Sequence, residues 1–277
     1  MEPVSNLIAG ALSAVKAAPT SASARMKLFR VFCLTGQWDR AVTQLDTAST
    51  MDAELALTSL LFKQAIVCER FRADVFAGSR TPVVIGEPQP WLGWMMQALQ
   101  SEPSKALALR QQAMETAEAC PGSLNGEAFE WLADADPRLG PVCEAFIDGK
   151  YYWLPFERIA EFSIEPPEDL IDLVWTRAEL VLGNGGSKSV LIPTRYPGSE
   201  SSDEDAIRTG GRTDWLGSEQ DGYRGLGQRE WVTDRGETGL MNVRRLVLQP
   251  PPPGAAKQSG QSRQADPGGL SGPATTG

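Results

Sequence analysis

The sequence predicts an α+β protein, in which an N-terminal all-α domain precedes a mixed, strand-rich antiparallel α+β domain. Up to about residue 120, apolar side chains recur at helical spacing; beyond it, short β-rich runs alternate with Gly, Pro and Asp. The chain has 277 residues, of which 42% are hydrophobic and 22% charged, enough for two modest cores. We therefore place the helical domain at residues 1–120, the α+β domain at 121–248 and a tail at 249–277.

Residues 25–48 predict the first structural unit, a helix, a tight turn and a second helix. Gly36 permits the turn, and the small Ala41 lets the second helix pack closely on the first. Gly36, Trp38 and Ala41 have the spacing of the same residue types in a tetratricopeptide repeat, so we describe the unit as TPR-like. The pattern does not recur further along, which argues against a long solenoid.

The next segment, from Asp52 to about Arg72, is apolar on more than one helical face. We expect such a helix to be sandwiched between neighbours. A loop rich in Pro and Gly follows at residues 78–90. Residues 91–99 and 104–119 then predict a second helical hairpin.

Strands are predicted where β-branched and aromatic residues form short runs: Tyr151–Leu154, Ala178–Leu182, Ser189–Ile192, Arg229–Thr233 and Leu240–Leu248. Gly183–Gly186 is a strong hairpin turn between the second and third runs, and Asp234–Gly236 is expected to close the last pair. The tail from Gln249 has four consecutive prolines at 250–253 and almost no large apolar residue, so we predict it to be disordered.

Composition excludes several functions. The chain has no histidine, which removes histidine-dependent triads and imidazole metal sites. Its four cysteines form no CxxC pair and are expected to be buried thiols. Residues 121–248 carry 13 basic and 23 acidic side chains, which disfavours binding to nucleic acid or to anionic membranes. We find neither a signal peptide nor a membrane span, so we expect a cytoplasmic protein.

The densest polar cluster contains Asp134, Asp136, Arg138 and Glu144. Three carboxylates supply the hard oxygen ligands of a divalent cation, so a metal-dependent hydrolase or transferase is one interpretation. The favoured interpretation is structural, because Arg138 is close enough to neutralise one aspartate and Asp136 precedes a proline as a turn residue does. Arg229, after a glycine pair that only superficially resembles a phosphate loop, is likewise expected in an ion pair.

Five runs carry a family resemblance: FEWLADADPRLGPVCEAFIDGKYYWLPFERI, EPPEDLIDLVW, LIPTRYPGSE, RTDW and GLGQREWVTD. Together they resemble the ImpE/SciE family, also called TagJ, of accessory proteins in bacterial type VI secretion systems. The resemblance extends over most of residues 5–248. The residues that carry these motifs are interpreted as a buried polar and aromatic framework: Asp134, Asp136, Arg138, Tyr151, Tyr152, Trp153, Arg195, Tyr196 and Arg229.

The resemblance implies a non-enzymatic adaptor without a cofactor or metal. Such an adaptor binds the N-terminal helix of the small contractile-sheath subunit, TssB, and is linked to sheath handling by the ClpV ATPase. An alternative is a TPR-like chaperone for another cytoplasmic peptide. We expect an amphipathic partner helix to bind the helical domain in a groove. The candidate groove residues are Leu57, Leu60, Leu61 and Phe62, with Trp91 and Trp94 closing it.

Overall fold

The computed structural model describes residues 2–249 and confirms the α+β fold class. Residues 250–277 of the predicted tail lie outside this part of the chain. The helices of at least ten residues all precede the main run of strands. They are α1 (Val4–Ala17), α2 (Ala22–Leu34), α3 (Trp38–Met51), α4 (Ala56–Phe76), α5 (Pro90–Leu99) and α6 (Pro103–Thr116), and a short α7 (Asp205–Arg208) follows among the strands.

The strands form a nine-stranded sheet, a three-stranded sheet and a separate hairpin. They are β1 (Val83–Val84), β2 (Gly122–Leu124), β3 (Glu127–Phe129), β4 (Leu132–Asp134), β5 (Val142–Ile147), β6 (Lys150–Pro155), β7 (Ile159–Ile164), β8 (Trp175–Leu182), β9 (Ser187–Pro193), β10 (Thr213–Ser218), β11 (Gly222–Gly227), β12 (Glu230–Thr233), β13 (Gly236–Gly239) and β14 (Arg245–Leu248). The large sheet has the order β1-β6-β5-β9-β8-β7-β14-β2-β3, and the small one β13-β12-β4. Their pairings are antiparallel except between β1 and β6.

The predicted helix–turn–helix unit is observed as α2 and α3. Ser21 caps α2 by accepting a hydrogen bond from the backbone N–H of Ala24. Gly36 has φ of +65° in the turn between the helices, which is left-handed backbone that favours glycine. A Cβ atom on Gly36 would lie 2.6 Å from Cγ of Glu200, so both the turn and this close approach require glycine.

The middle of the large sheet is buried on both faces. All six residues of β5 are buried, which is the pattern of a strand covered on both sides. Val142 and Phe146 belong to a core shared with the helices, whereas Cys143 and Ala145 belong to a second core on the opposite face. The alternation fixes Glu144 on the helix-facing side of the sheet.

The second core lies between the large and the small sheet. Trp231 of β12 is fully buried there, with its ring 5.6 Å from that of Phe156 and 6.1 Å from that of Phe162. Leu240 and Leu246 complete the same apolar layer. The small sheet therefore covers the face of the large sheet that the helices leave free.

The strand predictions are correct except at the C-terminal end. Gly183–Gly186 does connect β8 and β9 as an antiparallel hairpin. The turn at residues 234–236 also makes a hairpin, but its second strand is β13, so the predicted pairing with Leu240–Leu248 was wrong. Leu240–Asn242 is a short 3-10 helix, and only Arg245–Leu248 is a strand. It pairs with β2 and β7, because its apolar residues complete the second core.

Helix α4 is covered on one side only, so the expectation that it is sandwiched was wrong. Its buried side carries Ala65, Ile66, Cys68, Arg72 and Val75. Its opposite side is exposed and apolar over the first three turns. Apolar periodicity predicts which faces of a helix avoid water, but it does not tell whether the covering surface belongs to the same chain.

The helices and the sheet share a core. Phe29 of α2 and Ile66 of α4 pack in the same cluster as Trp153 and Trp175 of the strands. Strand β1 lies within the helical region and pairs with β6. The division into independent domains at residue 120 stays a prediction. In the part of the chain from 2 to 249, no helix combines the length and apolar character needed to span a membrane.

Candidate functional site

The most exposed apolar surface of a long helix lies on α4. Four apolar side chains lie on its solvent face, with spacings from Leu57 of three and four residues and from Leu60 of seven, and we call them the α4 stripe: Leu57, Leu60, Leu61 and Val67. Their exposed fractions are 81%, 52%, 44% and 61%. Single apolar residues are common on protein surfaces, but four exposed apolar side chains on one face of one helix are a concentration of apolar surface. Three of the six predicted groove residues are in this stripe.

The other predicted groove residues lie elsewhere. Phe62 is half-buried beside the stripe, and its ring lies 5.2 Å from that of Phe29 and 5.9 Å from that of Trp175. Trp91 is only 3% exposed and belongs to the core, while Trp94 is half-buried against it. Phe62 therefore supports the stripe from below, and Trp91 has almost no surface to offer a partner.

Ion pairs to the preceding helix flank the stripe. Lys63 of α4 pairs with Asp46 of α3 at 2.7 Å, and Arg70 pairs with Asp39 at 2.6 Å. All four side chains are substantially exposed, so each pair contributes little to stability. Charged side chains therefore border the α4 stripe on the side that faces α3.

Below α4, a buried ionic cluster joins the helices to the sheet. Arg72 donates from Nε to Oε1 of Glu144 at 2.7 Å and from Nη2 to Oε2 at 3.0 Å. Arg229 bridges Glu144 and Asp134, and Tyr151 donates its hydroxyl proton to Glu144. The five side chains are almost completely buried. We call them the Arg72–Arg229 network.

The network continues through backbone carbonyl groups. Arg72 also donates to the carbonyl of Arg195 at 2.8 Å, and Arg195 donates to the carbonyl of Leu34 at the end of α2 at 2.9 Å. The indole N–H of Trp153 donates to the Tyr151 hydroxyl at 2.7 Å. These bonds connect α2, α4 and the middle of the large sheet, so they fix the position of the helix that carries the stripe.

The remaining motif residues occupy the other end of the cluster. Asp136 pairs with Arg138 at 2.6 Å and accepts a hydrogen bond from the backbone N–H of Gly225 at 2.9 Å. Tyr196 donates to Asp134 at 3.1 Å. Gly225 is required there, since a Cβ on it would lie 2.3 Å from Cδ2 of Tyr196. Tyr152, half-buried, packs on the second core instead.

The geometry argues against the metal-site interpretation. Asp134, Asp136 and Glu144 each accept from an arginine, so their oxygens are already occupied by cations. Within residues 2–249, no group of three or more His, Cys, Asp or Glu side chains is arranged to hold a metal ion. An ionic framework explains the three carboxylates without a metal.

The two carboxylates of the network differ in their electrostatics: burial raises the pKa of Asp134 to about 7, against the opposing charge of Arg229. Burial alone would raise the pKa of Glu144, but the charges of Arg72 and Arg229 outweigh it and lower that pKa to about 2.

The four cysteines are all buried with free thiols. Burial raises the pKa of Cys68 and of Cys120 to about 12, so neither is a thiolate at neutral pH.

Sequence reasoning missed Arg72 and Val67. Arg72 lies seven residues after Ala65 and four after Cys68, so helical periodicity places it on the buried face of α4. A buried arginine needs a carboxylate partner, and Glu144 had been named only as a member of the polar cluster, not as a residue of a predicted strand. Val67 follows Leu60 by seven residues and extends the exposed face by two turns.

The structure is that of an α+β protein in which a helix with an exposed apolar face is held to the sheet by a buried ionic network. Comparison with known proteins gives the family. The model of the ImpE protein family matches residues 126–247. The type VI secretion system accessory component TagJ of Pseudomonas aeruginosa is 42% identical over 240 residues, covering 85% of this chain and 84% of its own length. The chain belongs to this TagJ (ImpE) family of type VI secretion accessory components.

A solved structure shares the fold. The crystal structure of protein VPA1032 from Vibrio parahaemolyticus superposes with a TM-score of 0.80 at 23% identity. The match covers 89% of this chain and 94% of the other. The helical layer on a large mixed sheet is therefore an architecture found beyond this chain.

Proposed function

We propose that this protein is a non-enzymatic, cytoplasmic accessory protein of a type VI secretion system. It binds the N-terminal helix of the small sheath subunit, TssB, and through that subunit acts in sheath handling by the ClpV ATPase. Family membership supports the accessory role. The identity of the bound helix comes from the resemblance to the TagJ family.

The observation that carries the proposal is the α4 stripe. Its side chains remain in water in the isolated chain, although fully burying one leucine contributes roughly 1.5–3 kcal/mol. An amphipathic partner helix, whose apolar side chains recur at i, i+3, i+4 and i+7, would lay its apolar face on this exposed helix face and cover it. Covering Leu57, the most exposed of the four, gives the largest gain.

The side chains packed beneath α4 hold the α4 stripe in a fixed position. Phe62 and Trp175 stack under α4, and Arg72 ties the helix to Glu144 in the sheet. A preorganised surface loses little conformational freedom on binding, so more of the apolar burial appears as affinity. The family motifs then have a structural role, which is to support the helix that makes the contact.

A double substitution that introduces two negative charges tests this assignment. Changing Leu57→Asp and Leu61→Asp together places two carboxylates in the centre of the contact, and burying them unpaired is strongly unfavourable. We expect binding of purified TssB to fall at least tenfold, measured by titration calorimetry with the full chain. Because both residues are exposed, the thermal unfolding midpoint should stay near that of the unmodified protein.

Leu216→Asp is the matched control, because Leu216 is also an exposed leucine but lies on the β10–β11 hairpin. It should leave TssB binding unchanged. Undiminished binding by a folded L57D/L61D variant would contradict the placement on α4. Equal losses in both variants would show that the contact is not specific to the stripe.

A further inference from the structure

A glutamine lies in the middle of the exposed apolar face of α4. Gln64 is exposed between Leu60, four residues before it, and Val67, three residues after it. Five residues of this face are separated by three and four residues in alternation, the a and d spacing of a heptad repeat, and we call them the α4 seam: Leu57, Leu60, Gln64, Val67 and Phe71. Gln64 occupies an a position, and the other four positions of the seam are apolar.

The open part of the seam has a defined length. At the C-terminal end Phe71 is half-buried, with its ring 6.1 Å from that of Tyr151. The guanidinium group of Arg80 lies over the same ring, 5.3 Å from its centroid. Phe71 is thus covered by its own chain, and the part left for a partner runs from Leu57 to Val67. At the rise of an α-helix this part is about three turns, or roughly 15 Å, long.

The amide group of Gln64 rests on the turn between β5 and β6. Gly149 of this turn has φ of +75°, and a Cβ atom on it would lie 2.9 Å from Cδ of Gln64 and 3.1 Å from both Nε2 and Oε1. The glycine therefore leaves the space that the amide occupies. Asp148 before it has φ of +49°, so both residues of this two-residue hairpin turn have the positive φ that such a turn requires. The turn holds the amide beside the seam.

The Gln64 amide has unused hydrogen-bonding capacity. It makes no hydrogen bond with any other residue between 2 and 249, and its exposure leaves its donors and its acceptor open to water. A partner helix on the α4 stripe displaces that water. A buried amide without a hydrogen-bond partner lowers the affinity, so an apolar residue opposite Gln64 is penalised and a hydrogen-bonding residue is not.

A single polar side chain at an a position selects partners in coiled coils. It reduces the affinity relative to a fully apolar seam, but it fixes the register, because only one alignment of the helices places a polar residue opposite it. Discrimination then comes from the helices that leave the polar group unpaired. Apolar contacts alone would tolerate a shift of the partner along α4, and Gln64 removes that tolerance.

We propose that Gln64 determines which helix binds the α4 stripe and in which register. The partner is an amphipathic helix with about three turns in contact, and its apolar side chains lie against Leu57, Leu60 and Val67. One uncharged hydrogen-bonding side chain, Ser, Thr, Asn or Gln, lies opposite Gln64, because a charged one would be buried there without a counter-ion. This inference rests on the function proposed above, which supplies the helix but not the residue that selects it.

A double-mutant cycle between the chain and its partner peptide tests the proposal. The probe is the synthetic N-terminal helix of the cognate TssB, with variants in which each Ser, Thr, Asn or Gln of its apolar face is changed singly to Leu. Titration calorimetry measures each peptide with the unmodified full chain and with Gln64→Leu. We expect one peptide variant to bind the unmodified chain at least fivefold more weakly than the native peptide does. The same variant should bind Q64L at least as tightly as the native peptide.

The matched control is Gln112→Leu, because Gln112 is also an exposed glutamine of a long helix but lies on α6. It should give the affinities of the unmodified chain for every peptide. Gln64→Leu should leave the thermal unfolding midpoint near that of the unmodified protein, since the side chain is exposed. Weaker binding of every peptide by Q64L would assign Gln64 a structural role and overturn the proposal.

The proposal is also overturned if the apolar face of the TssB helix carries no such polar residue. Equal changes with Q64L and with the unmodified chain at every peptide position would overturn it as well. With either result, loss of binding in the L57D/L61D variant would still support the function proposed for the α4 stripe. If the native peptide does not bind the unmodified chain, the proposed function fails and this inference fails with it.

Discussion

Replacing Arg72 with methionine removes the cation that connects α4 to the sheet. Arg72 makes two hydrogen bonds to Glu144, at 2.7 and 3.0 Å, and one to the carbonyl of Arg195 at 2.8 Å. A buried hydrogen bond to a charged group contributes about 1.5–3 kcal/mol, so the two bonds to Glu144 account for roughly 3–6 kcal/mol. Breaking a buried ion pair by removing one partner costs about 3–5 kcal/mol, which agrees with that range.

Urea unfolding followed by far-ultraviolet circular dichroism measures this loss. The matched control is Arg70→Met on the same helix, whose ion pair with Asp39 is largely exposed and contributes at most about 1 kcal/mol. We expect a large drop in the unfolding midpoint for R72M and almost none for R70M. A free energy of unfolding for R72M within about 1 kcal/mol of the unmodified chain would refute the reasoning that a buried ionic network holds α4.

Three further predictions concern the turn, the network and the thiols. Gly36→Ala should cost about 1–2 kcal/mol in unfolding free energy, because alanine is strained at φ of +65° and approaches Glu200; unchanged stability would contradict this. The folded pKa of Glu144, about 2, is below its ordinary 4.5, so its ion pairs stabilise the fold above pH 4.5 and that contribution declines as the pH falls towards 2. Glu144→Gln should therefore flatten the dependence of the urea midpoint on pH between 5 and 3; an unchanged slope would exclude Glu144 as its source. A thiol-reactive dye at neutral pH should label the native chain very slowly and all four cysteines after unfolding, since every thiol is buried. Rapid native labelling would contradict that burial.

The parts of the fold that local patterns determine were predictable from the sequence. Glycine permits the backbone conformations of the α2–α3 turn and of the Gly183–Gly186 hairpin. These turns can therefore be predicted without knowing which parts of the chain pack around them. Strand β14 was different. Its partners, β2 and β7, are distant in the chain, and apolar alternation alone cannot select among strands that are all buried.

The candidate site shows the same division between local and long-range information. The motif residues Asp134, Asp136 and Arg138 lie close together in the chain, and the Asp136–Arg138 pair follows from that spacing. The pair between Arg72 and Glu144 joins residues 72 positions apart and depends on how α4 lies on the sheet. The exposure of Leu57 could not be predicted, because an apolar helix face looks the same in sequence whether its partner is internal or external.

The proposed function requires that the protein binds the N-terminal helix of the cognate TssB. Titration calorimetry of the purified full chain with a synthetic peptide of that helix tests it most directly, with a scrambled peptide of identical composition as the control. We expect saturable binding of the native peptide alone, with a negative heat-capacity change from burial of the α4 stripe. No binding by a folded sample, or equal binding of the scrambled peptide, would contradict it.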